Sequence, residues 1–136
     1  MIGDEILSFA KQLWPIPRSL TGPGVRKTLA LIKQHLPDLQ IQSVKSGTQC
    51  FDWVVPHEWQ IKDAYILDPN GNKIIDIKNN NLHVVGYSTP INVKMSLSDL
   101  NKNLHSLPDQ PTAIPYITSY YSERWGFCVS TRCVSH

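Results

Sequence analysis

A short polar loop between two apolar stretches is the first place where this sequence could bind a ligand. Arg18, Ser19 and Thr21 follow two prolines and lead into the start of a predicted helix. The first turn of a helix has free backbone N–H groups that attract anions, and a guanidinium adds a planar fork of donors. The loop lacks the glycine spacing of a phosphate-binding loop. The alternative stays open that Arg18 and Ser19 bind neighbouring backbone and only hold the loop.

Histidines are the second group of residues that could do chemistry. The chain has five of them, and none forms the His-x3-His or His-Glu-x-x-His spacing of a local zinc site. His83 alternates with apolar neighbours on a predicted strand, where a hydrogen-bonded structural role is the simpler interpretation. His105 precedes a proline-rich loop, and because loops often carry binding sites it joins Arg18, Ser19 and Thr21 as a candidate for binding substrate or an anion. We predict no metal ligand and no catalytic residue.

Thiols, carboxylates and aromatic rings show no catalytic pattern. The three cysteines are odd in number, which favours free, mostly buried thiols over a disulfide framework. The acidic residues near the predicted hairpin have the irregular spacing typical of solvated strand edges and turns. They are not paired as in general acid–base catalysis. Aromatic side chains could stack on a sugar, although packing in the core is the simpler role. They are Trp53, Trp59, Tyr65, Tyr87, Tyr116, Tyr120, Tyr121 and Trp125.

Two helices must position the polar loop. Apolar residues spaced three and four apart predict a helix over residues 4–14, with two acids in its first turn. Pro15 and Pro17 end this helix, because proline cannot continue the hydrogen-bond pattern. Thr21 or Gly22 then caps a second helix that has Pro23 in its first turn and ends before Pro37.

The rest of the chain has a sequence pattern typical of short strands and turns. Alternation of apolar and polar residues predicts a strand over residues 39–44, and further apolar segments bounded by turn residues predict strands over residues 51–55, 59–67, 73–77 and 82–87. Asp68-Pro-Asn-Gly71 predicts a tight turn, so residues 59–77 form a β-hairpin. Ser96 and Asp99 have the spacing of a capping box and start a short helix that runs to about residue 104. Residues 105–117 are predicted to be an irregular loop, and residues 125–130 a buried strand.

Composition excludes several classes of partner. The chain has 136 residues, 41% of them hydrophobic and 18% charged, with a net charge of +2. This balance argues against nucleic acid and against a membrane surface as partners. No apolar stretch is long enough to span a bilayer, and Asp4 and Glu5 stand where a signal peptide would be basic. We therefore expect a cytoplasmic protein.

The order of several long motifs resembles a bacterial family of aminopeptidase-like proteins that is often encoded among polysaccharide-biosynthesis genes. The similarity covers about residues 5–130. Its motifs are LWPIPRSLTGPGVR at 13–26, SGT at 46–48, FDWVVPHEW at 51–59, DAYI at 63–66, NLHVVGYSTP at 81–90, LP at 107–108, IPY at 114–116, TSYY at 118–121 and WGFC at 125–128.

This resemblance implies a two-metal, zinc-dependent aminopeptidase with a β-rich domain of unknown function inserted near the N-terminus of its α/β core. The implied fold class is α+β. Residues 1–42 would be the helical start of the core, 43–126 the inserted domain, and 127–136 a truncated return to the core. Family members are about three times longer, and their zinc ligands lie beyond the WGFC motif. The resemblance therefore implies an N-terminal fragment that is not catalytic by itself and holds no cofactor, although zinc is expected in full-length relatives.

A second interpretation is a stand-alone β-rich module that binds a carbohydrate or a protein through its aromatic rings. The sequence leaves open whether the chain is an enzyme. A peptide or a carbohydrate is the expected ligand. Because the sheet on which the two helices would pack is missing, we also predict self-association through exposed apolar helix faces. The strand at 125–130 is expected to be left as an unpaired edge.

Overall fold

The fold is a mixed α+β arrangement that divides into two compact units, residues 1–62 and residues 63–136. A computed structural model describes residues 2–18, 21–120 and 122–134 of the chain. The predicted α+β class is confirmed. The boundaries predicted at 42/43 and 126/127 refer to the core and the insert of longer family members and stay predictions.

Both predicted helices of the first unit are confirmed. Helix α1 spans Ile2–Leu13 and has Asp4 and Glu5 in its first turn, where the helix dipole favours acids. Helix α2 spans Pro23–His35, with Gly22 at its N-cap and proline at its first position. Neither helix has a fully buried residue among those described. The apolar residues Ile2, Ile6 and Leu7 of α1 are exposed, whereas Val25 and Leu29 of α2 are partly buried.

The strands of the first unit are shorter than predicted. Strand β1 (Gln49–Cys50) pairs antiparallel with strand β2 (Trp53–Val54), and the N–H groups of Gly47 and Val55 extend the ladder by one step. The strand predicted over residues 39–44 is wrong: the structure has no strand there. Alternation alone cannot make a strand, because the backbone groups also need a neighbouring strand to bond.

The second unit begins with the predicted hairpin, which is confirmed but shorter. Strand β3 (Tyr65–Leu67) pairs antiparallel with strand β4 (Lys73–Asp76), and the register shifts after Ile66. The carboxylate of Asp68 accepts hydrogen bonds from the backbone N–H groups of Asn70 and Asn72, both at 2.8 Å. The prediction that the first strand starts at residue 59 is wrong, since the ladder has no partner for residues 59–63.

The ionised Asp68 side chain should make the hairpin sensitive to acid. Hydrogen bonds from the Asn72 side chain, and then from backbone N–H groups, hold the pKa of Asp68 below 3.8, its ordinary value. A carboxyl whose pKa is lowered by folding stabilises the folded state above the unfolded pKa, and this contribution is lost as the pH falls through the folded pKa. We therefore expect Asp68→Asn to be destabilising at pH 6, and the difference from wild type to shrink below pH 3.8. Urea unfolding of both proteins across this range measures it. A constant difference at every pH would contradict the expectation.

After the hairpin the structure departs from the predicted strand at 82–87. Residues Asn81–His83 form one turn of 3-10 helix, and only single bridges follow, from Val84 to Phe127 and from Gly86 to Thr118. The Asn80 side chain accepts the N–H of Leu82 and so caps the turn. A local side-chain bond of this kind competes with strand formation.

The helix start predicted at Ser96 is confirmed, although Asp99 accepts from the Ser96 hydroxyl and not from the Ser96 backbone N–H as in a full capping box. Helix α3 (Leu97–Asn101) has Ser96 at its N-cap, whose Oγ accepts the Asp99 N–H at 3.1 Å and donates to the Asp99 carboxylate at 2.8 Å. The helix ends about three residues earlier than predicted. The chain turns at residues 102–103 and enters strand β5 (Leu104–His105).

Strand β6 (Phe127–Cys128) lies at the centre of the second unit. It pairs parallel with β5 on one side and bridges Val84 on the other. The expectation of an unpaired edge at 125–130 is therefore wrong, because the partners come from distant parts of this same chain. The predicted burial is confirmed for residues 126–129. A four-residue helix α4, Thr131–Val134, follows the strand.

The hydrophobic core of the second unit forms around β6. Phe127 and Val129 are buried with Ile75 of the hairpin. Five partly buried residues pack against this cluster: Ala64, Ile66, Val84, Leu104 and Trp125. The core thus joins the hairpin, the parallel strand pair and the segment after the 3-10 turn.

Candidate functional site

The loop between α1 and α2 is held by its own backbone contacts. Ile16 is buried, with 6% of its surface exposed, and the proline on each side keeps it out of the helix. The Arg18 guanidinium donates from Nη1 to the Leu13 carbonyl at 2.7 Å. A cation at the last carbonyls of a helix is favourable. This contact matches the structural alternative for Arg18, whose role as an anion-binding residue stays a prediction.

The other predicted binding residues do not form one cluster with Arg18. Thr21 lies in the same loop, and its buried Oγ1 has no hydrogen-bond partner among the described residues. Ser19 lies outside the described residues. His105 belongs to β5 in the second unit, where its carbonyl accepts the Val129 N–H at 2.9 Å. Its predicted binding role stays a prediction.

Two glycines allow the chain to approach the start of α2 very closely. Gly22 has a φ of +124°, and a Cβ on it would lie 2.7 Å from the carbonyl oxygen of Trp59. A Cβ on Gly24 would lie 2.1 Å from the carbonyl oxygen of Pro17. Two carbonyl oxygens therefore lie against the region of the helix N-terminus. Their partial negative charge opposes that of a bound anion.

A small groove lies beside this helix start, within the first unit. Its volume is about 220 Å³. The groove combines proline and isoleucine side chains with one ammonium and one amide group, so it suits an apolar group with a polar end. It is lined by Pro15, Ile16, Pro17, Pro23, Gly24, Lys27, Trp59, Gln60 and Ile61.

An ion pair joins α2 to the segment that precedes Trp59. Arg26 of α2 makes a two-pronged contact with the Glu58 carboxylate, with Nη2 donating to Oε2 at 3.1 Å. The hydrogen bond from Arg26 holds the pKa of Glu58 below its usual range, and the carboxylate in turn raises the pKa of Arg26. Both side chains are about half exposed, so the pair positions the chain rather than storing much energy. The sequence predicted no role for Arg26, and it predicted only that Glu58 is a solvated acid.

In the second unit, His83 and Cys128 have structural surroundings. The Nδ1 of His83 lies 2.8 Å from the Cys128 carbonyl oxygen, in agreement with the hydrogen-bonded role expected of His83. Cys128 is fully buried, whereas Cys50 is half-buried and Cys133 exposed. All three thiols are free, as predicted, but only one of them is buried. Burial raises the pKa of the Cys128 thiol.

These surroundings predict the order in which the thiols react. The thiolate is the nucleophile, so a buried thiol with a raised pKa reacts slowly. We expect iodoacetamide to label Cys133 first and Cys128 about 100-fold more slowly, because Cys128 reacts only when the structure opens. Peptide mapping by mass spectrometry at neutral pH measures the rates, with labelling in urea as the control. Equal rates in the folded protein would contradict the buried position.

Across residues 2–18, 21–120 and 122–134, no group of three or more His, Cys, Asp or Glu side chains could hold a metal ion. No helix of this described part is long and apolar enough to cross a membrane. Several members of the aromatic set are exposed. Tyr116 is 73% and Tyr120 56% exposed in the second unit, and Trp53 is 49% exposed in the first.

Comparison with known proteins identifies the family. Residues 58–136 match the model of a family described as a domain of unknown function, DUF2172. The match covers more than half of the chain, and the chain therefore belongs to this family.

The relatives connect this family to aminopeptidase-like proteins. A Clostridium acetobutylicum protein, provisionally named a polysaccharide biosynthesis protein with an aminopeptidase-like domain, is 52% identical over 128 residues. A crystal structure from the same organism, of a protein provisionally named a peptidase, matches with a TM-score of 0.95 at 50% identity. The matches cover 94% and 99% of this chain but only 29% and 32% of those proteins. The resemblance seen in the sequence motifs is confirmed, and the chain spans less than a third of the length of these relatives.

Proposed function

We propose that this chain supplies the N-terminal part of an aminopeptidase-like zinc hydrolase and does not hydrolyse peptides by itself. The observation that carries the proposal is the 52% identity over 94% of this chain and only 29% of the aminopeptidase-like relative. A two-metal hydrolase needs several carboxylate and imidazole ligands around a shaped cavity. The part of this chain that the structure describes has no cluster of three such side chains. A cytoplasmic location is part of the proposal and is supported by the free thiols.

An exchange of segments tests this proposal. In a chimera, this chain replaces the matching segment of the full-length Clostridium relative. We expect the relative and the chimera to release a fluorophore from aminoacyl amides in the presence of zinc, and this chain alone to release none. Release by this chain above a zinc-only control would overturn the proposal. A folded relative that cleaves no aminoacyl amide would overturn the hydrolase assignment.

Zinc content gives a separate expected outcome. This chain should retain no stoichiometric zinc at micromolar concentration, because its sequence has no zinc-ligand spacing. The full-length relative, loaded in the same way, is the matched control. Elemental analysis after gel filtration measures both. One tightly bound zinc per copy of this chain would contradict the expectation.

Helix α1 supports a further part of the proposal, self-association. Ile2, Ile6 and Leu7 of α1 are 78%, 65% and 55% exposed. Apolar surface of this kind favours association when nothing covers it. Sedimentation velocity over a range of concentrations tests it, and a chain that stays monomeric at high concentration would argue against it.

The second candidate function, a carbohydrate-binding module, is favoured by the exposure of Tyr116 and Tyr120. These two residues are 73% and 56% exposed, and exposed aromatic side chains can stack on sugar rings. Titration with oligosaccharides, followed by NMR shifts, should then perturb the Tyr116 ring in the wild type and leave the spectrum of Tyr116→Ala unchanged. Absence of shifts in the wild type would remove this candidate.

A further inference from the structure

Residues 91–97 carry an apolar side chain at every second position, and all of these side chains are exposed. The exposed fractions are 41% for Ile91, 60% for Val93, 37% for Met95 and 66% for Leu97. The residues between them are polar and also exposed. Alternation with a period of two is typical of a strand that buries one face against other structure. Here nothing in the described part of the chain buries that face.

The backbone of this segment is flanked by hydrogen-bonded residues and is open in between. Before it, the Thr89 N–H donates to the Arg124 carbonyl at 3.0 Å, and after it the Ser96 carbonyl accepts the Leu100 N–H at 3.0 Å. Between these two anchors, residues 91–95 make no hydrogen bond to any described residue. The segment therefore presents a row of free backbone donors and acceptors between the bond of Thr89 to the distant Arg124 and the start of α3.

Free backbone groups beside an alternating apolar face are the features that accept an added strand. Proteins usually protect such an edge with charges or proline, because it otherwise pairs with other chains. Lys94 is the one charge in the segment, and it alternates with the apolar residues rather than interrupting them. Backbone hydrogen bonds would supply affinity to an incoming strand, and the side chains at 91, 93 and 95 would select its apolar positions.

The length of the relatives indicates where the incoming strand comes from. This chain covers 29% and 32% of two relatives that are at least 50% identical to it, so more than two thirds of each relative lies elsewhere. A second copy of this chain is a weaker candidate. Antiparallel pairing of two such segments would leave the apolar side chains of both on one open face, and an isolated two-stranded ribbon is marginally stable in water. The remainder of a longer protein can supply both a strand that pairs with this segment and a layer that packs on the apolar face.

We propose that residues 91–95 form the edge on which the remainder of the longer aminopeptidase-like protein adds a strand, and that another part of this remainder covers the face made by Ile91, Val93 and Met95. The partner is an extended segment with alternating apolar residues from outside the matched region. The proposal rests on the proposed function only in treating this chain as part of a longer protein, and it does not depend on peptidase activity.

Hydrogen exchange of the chimera described above tests the proposal. We expect the amides of residues 91–95 to exchange at least about 100-fold more slowly in the chimera than in this chain alone, because they become hydrogen-bonded. The amides of β3 and β4 are the internal reference and should be protected in both proteins. Equal exchange of residues 91–95 in the two proteins would overturn the proposal. Protection in this chain alone that rises with protein concentration would make a second copy the partner, and would also overturn it.

Substitutions on the two faces of the segment make the test specific. Val93→Asp places a charge on the face to be covered, whereas Asn92→Asp places the same charge on the alternate face. We expect Val93→Asp to lower the Tm of the chimera by about 5 °C and that of this chain alone by less than about 1 °C. Asn92→Asp should leave both within about 1 °C. Equal effects of the two substitutions in the chimera would overturn the proposal. Because exchange and melting are measured without substrate, an inactive chimera would count against the proposed function alone.

Discussion

Replacing Phe127 with alanine should destabilise the second unit by about 3–5 kcal/mol, the usual cost of removing a buried phenyl ring. Phe127 is 9% exposed and lies in the core with Ile75 and Val129. Its ring also meets that of Trp125 edge to face, with 6.5 Å between the ring centroids. The cavity would remove contacts to the hairpin and to β5 at once.

Phe51→Ala is the matched control for this substitution. Phe51 is 98% exposed in the turn between β1 and β2, so its loss should change stability by less than about 0.5 kcal/mol. Urea unfolding followed by circular dichroism measures both variants. If Phe127→Ala is unfolded outright, Phe127→Leu keeps most of the volume and should cost about 1.5 kcal/mol. A Phe127→Ala protein as stable as Phe51→Ala would contradict the position of the core.

Replacing Gly24 with alanine should destabilise the first unit by about 3 kcal/mol. The new Cβ would lie 2.1 Å from the Pro17 carbonyl oxygen and 3.1 Å from the Arg18 Cα. These atoms are backbone, so no side-chain rotation relieves the overlap, and the loop must move away from α2. The groove beside the start of α2 would then change shape as well.

Gly3→Ala is the control for Gly24→Ala. A Cβ at Gly3 meets nothing within 4 Å, and alanine favours the helix by up to about 1 kcal/mol. Hydrogen exchange of the α2 amides reports the stability of the first unit without relying on the second. Similar α2 protection in the two variants would show that the loop does not approach Gly24 as closely as the structure has it.

Features that depend on neighbours in the sequence could be predicted from it. The end of α1 follows from Pro15 and Pro17, because proline has no backbone N–H to donate and its ring cannot continue the helix. The start of α3 follows from Ser96 and Asp99, whose side chains reach only the nearest turn. The turn at residues 68–71 follows from residues whose conformations are set locally.

Strand pairing could not be predicted in the same way, because it depends on residues far apart in the sequence. The alternation at residues 39–44 resembles that of a true strand, yet no neighbouring strand lies beside it. Conversely, residues 125–130 seemed to lack partners, but β5 and Val84 reach them from 23 and 43 residues away. A pattern shows which face of a segment is apolar but not what covers it.

Local features of the candidate site could be predicted from the sequence, whereas contacts between distant residues could not. A polar segment before α2 was predicted, as was the alternative that Arg18 binds nearby backbone, because both are local features. The Arg26–Glu58 pair joins residues 32 positions apart, and no spacing rule connects them. The available signal was Gly22 and Gly24, since two glycines around a helix start indicate that other backbone comes close.

The parallel pair of β5 and β6 also sets the order in which the second unit can form. The hairpin partners Leu67 and Lys73 are six residues apart, whereas Leu104 and Phe127 are 23 apart. Closing a longer loop costs more chain entropy, and hairpins form in microseconds. During synthesis the hairpin can therefore fold early. Ile75 can pack in the core only after Phe127 and Val129 have left the ribosome. Until then the growing chain exposes the apolar side of the hairpin. Chaperones that bind extended apolar segments could bind the hairpin during this time.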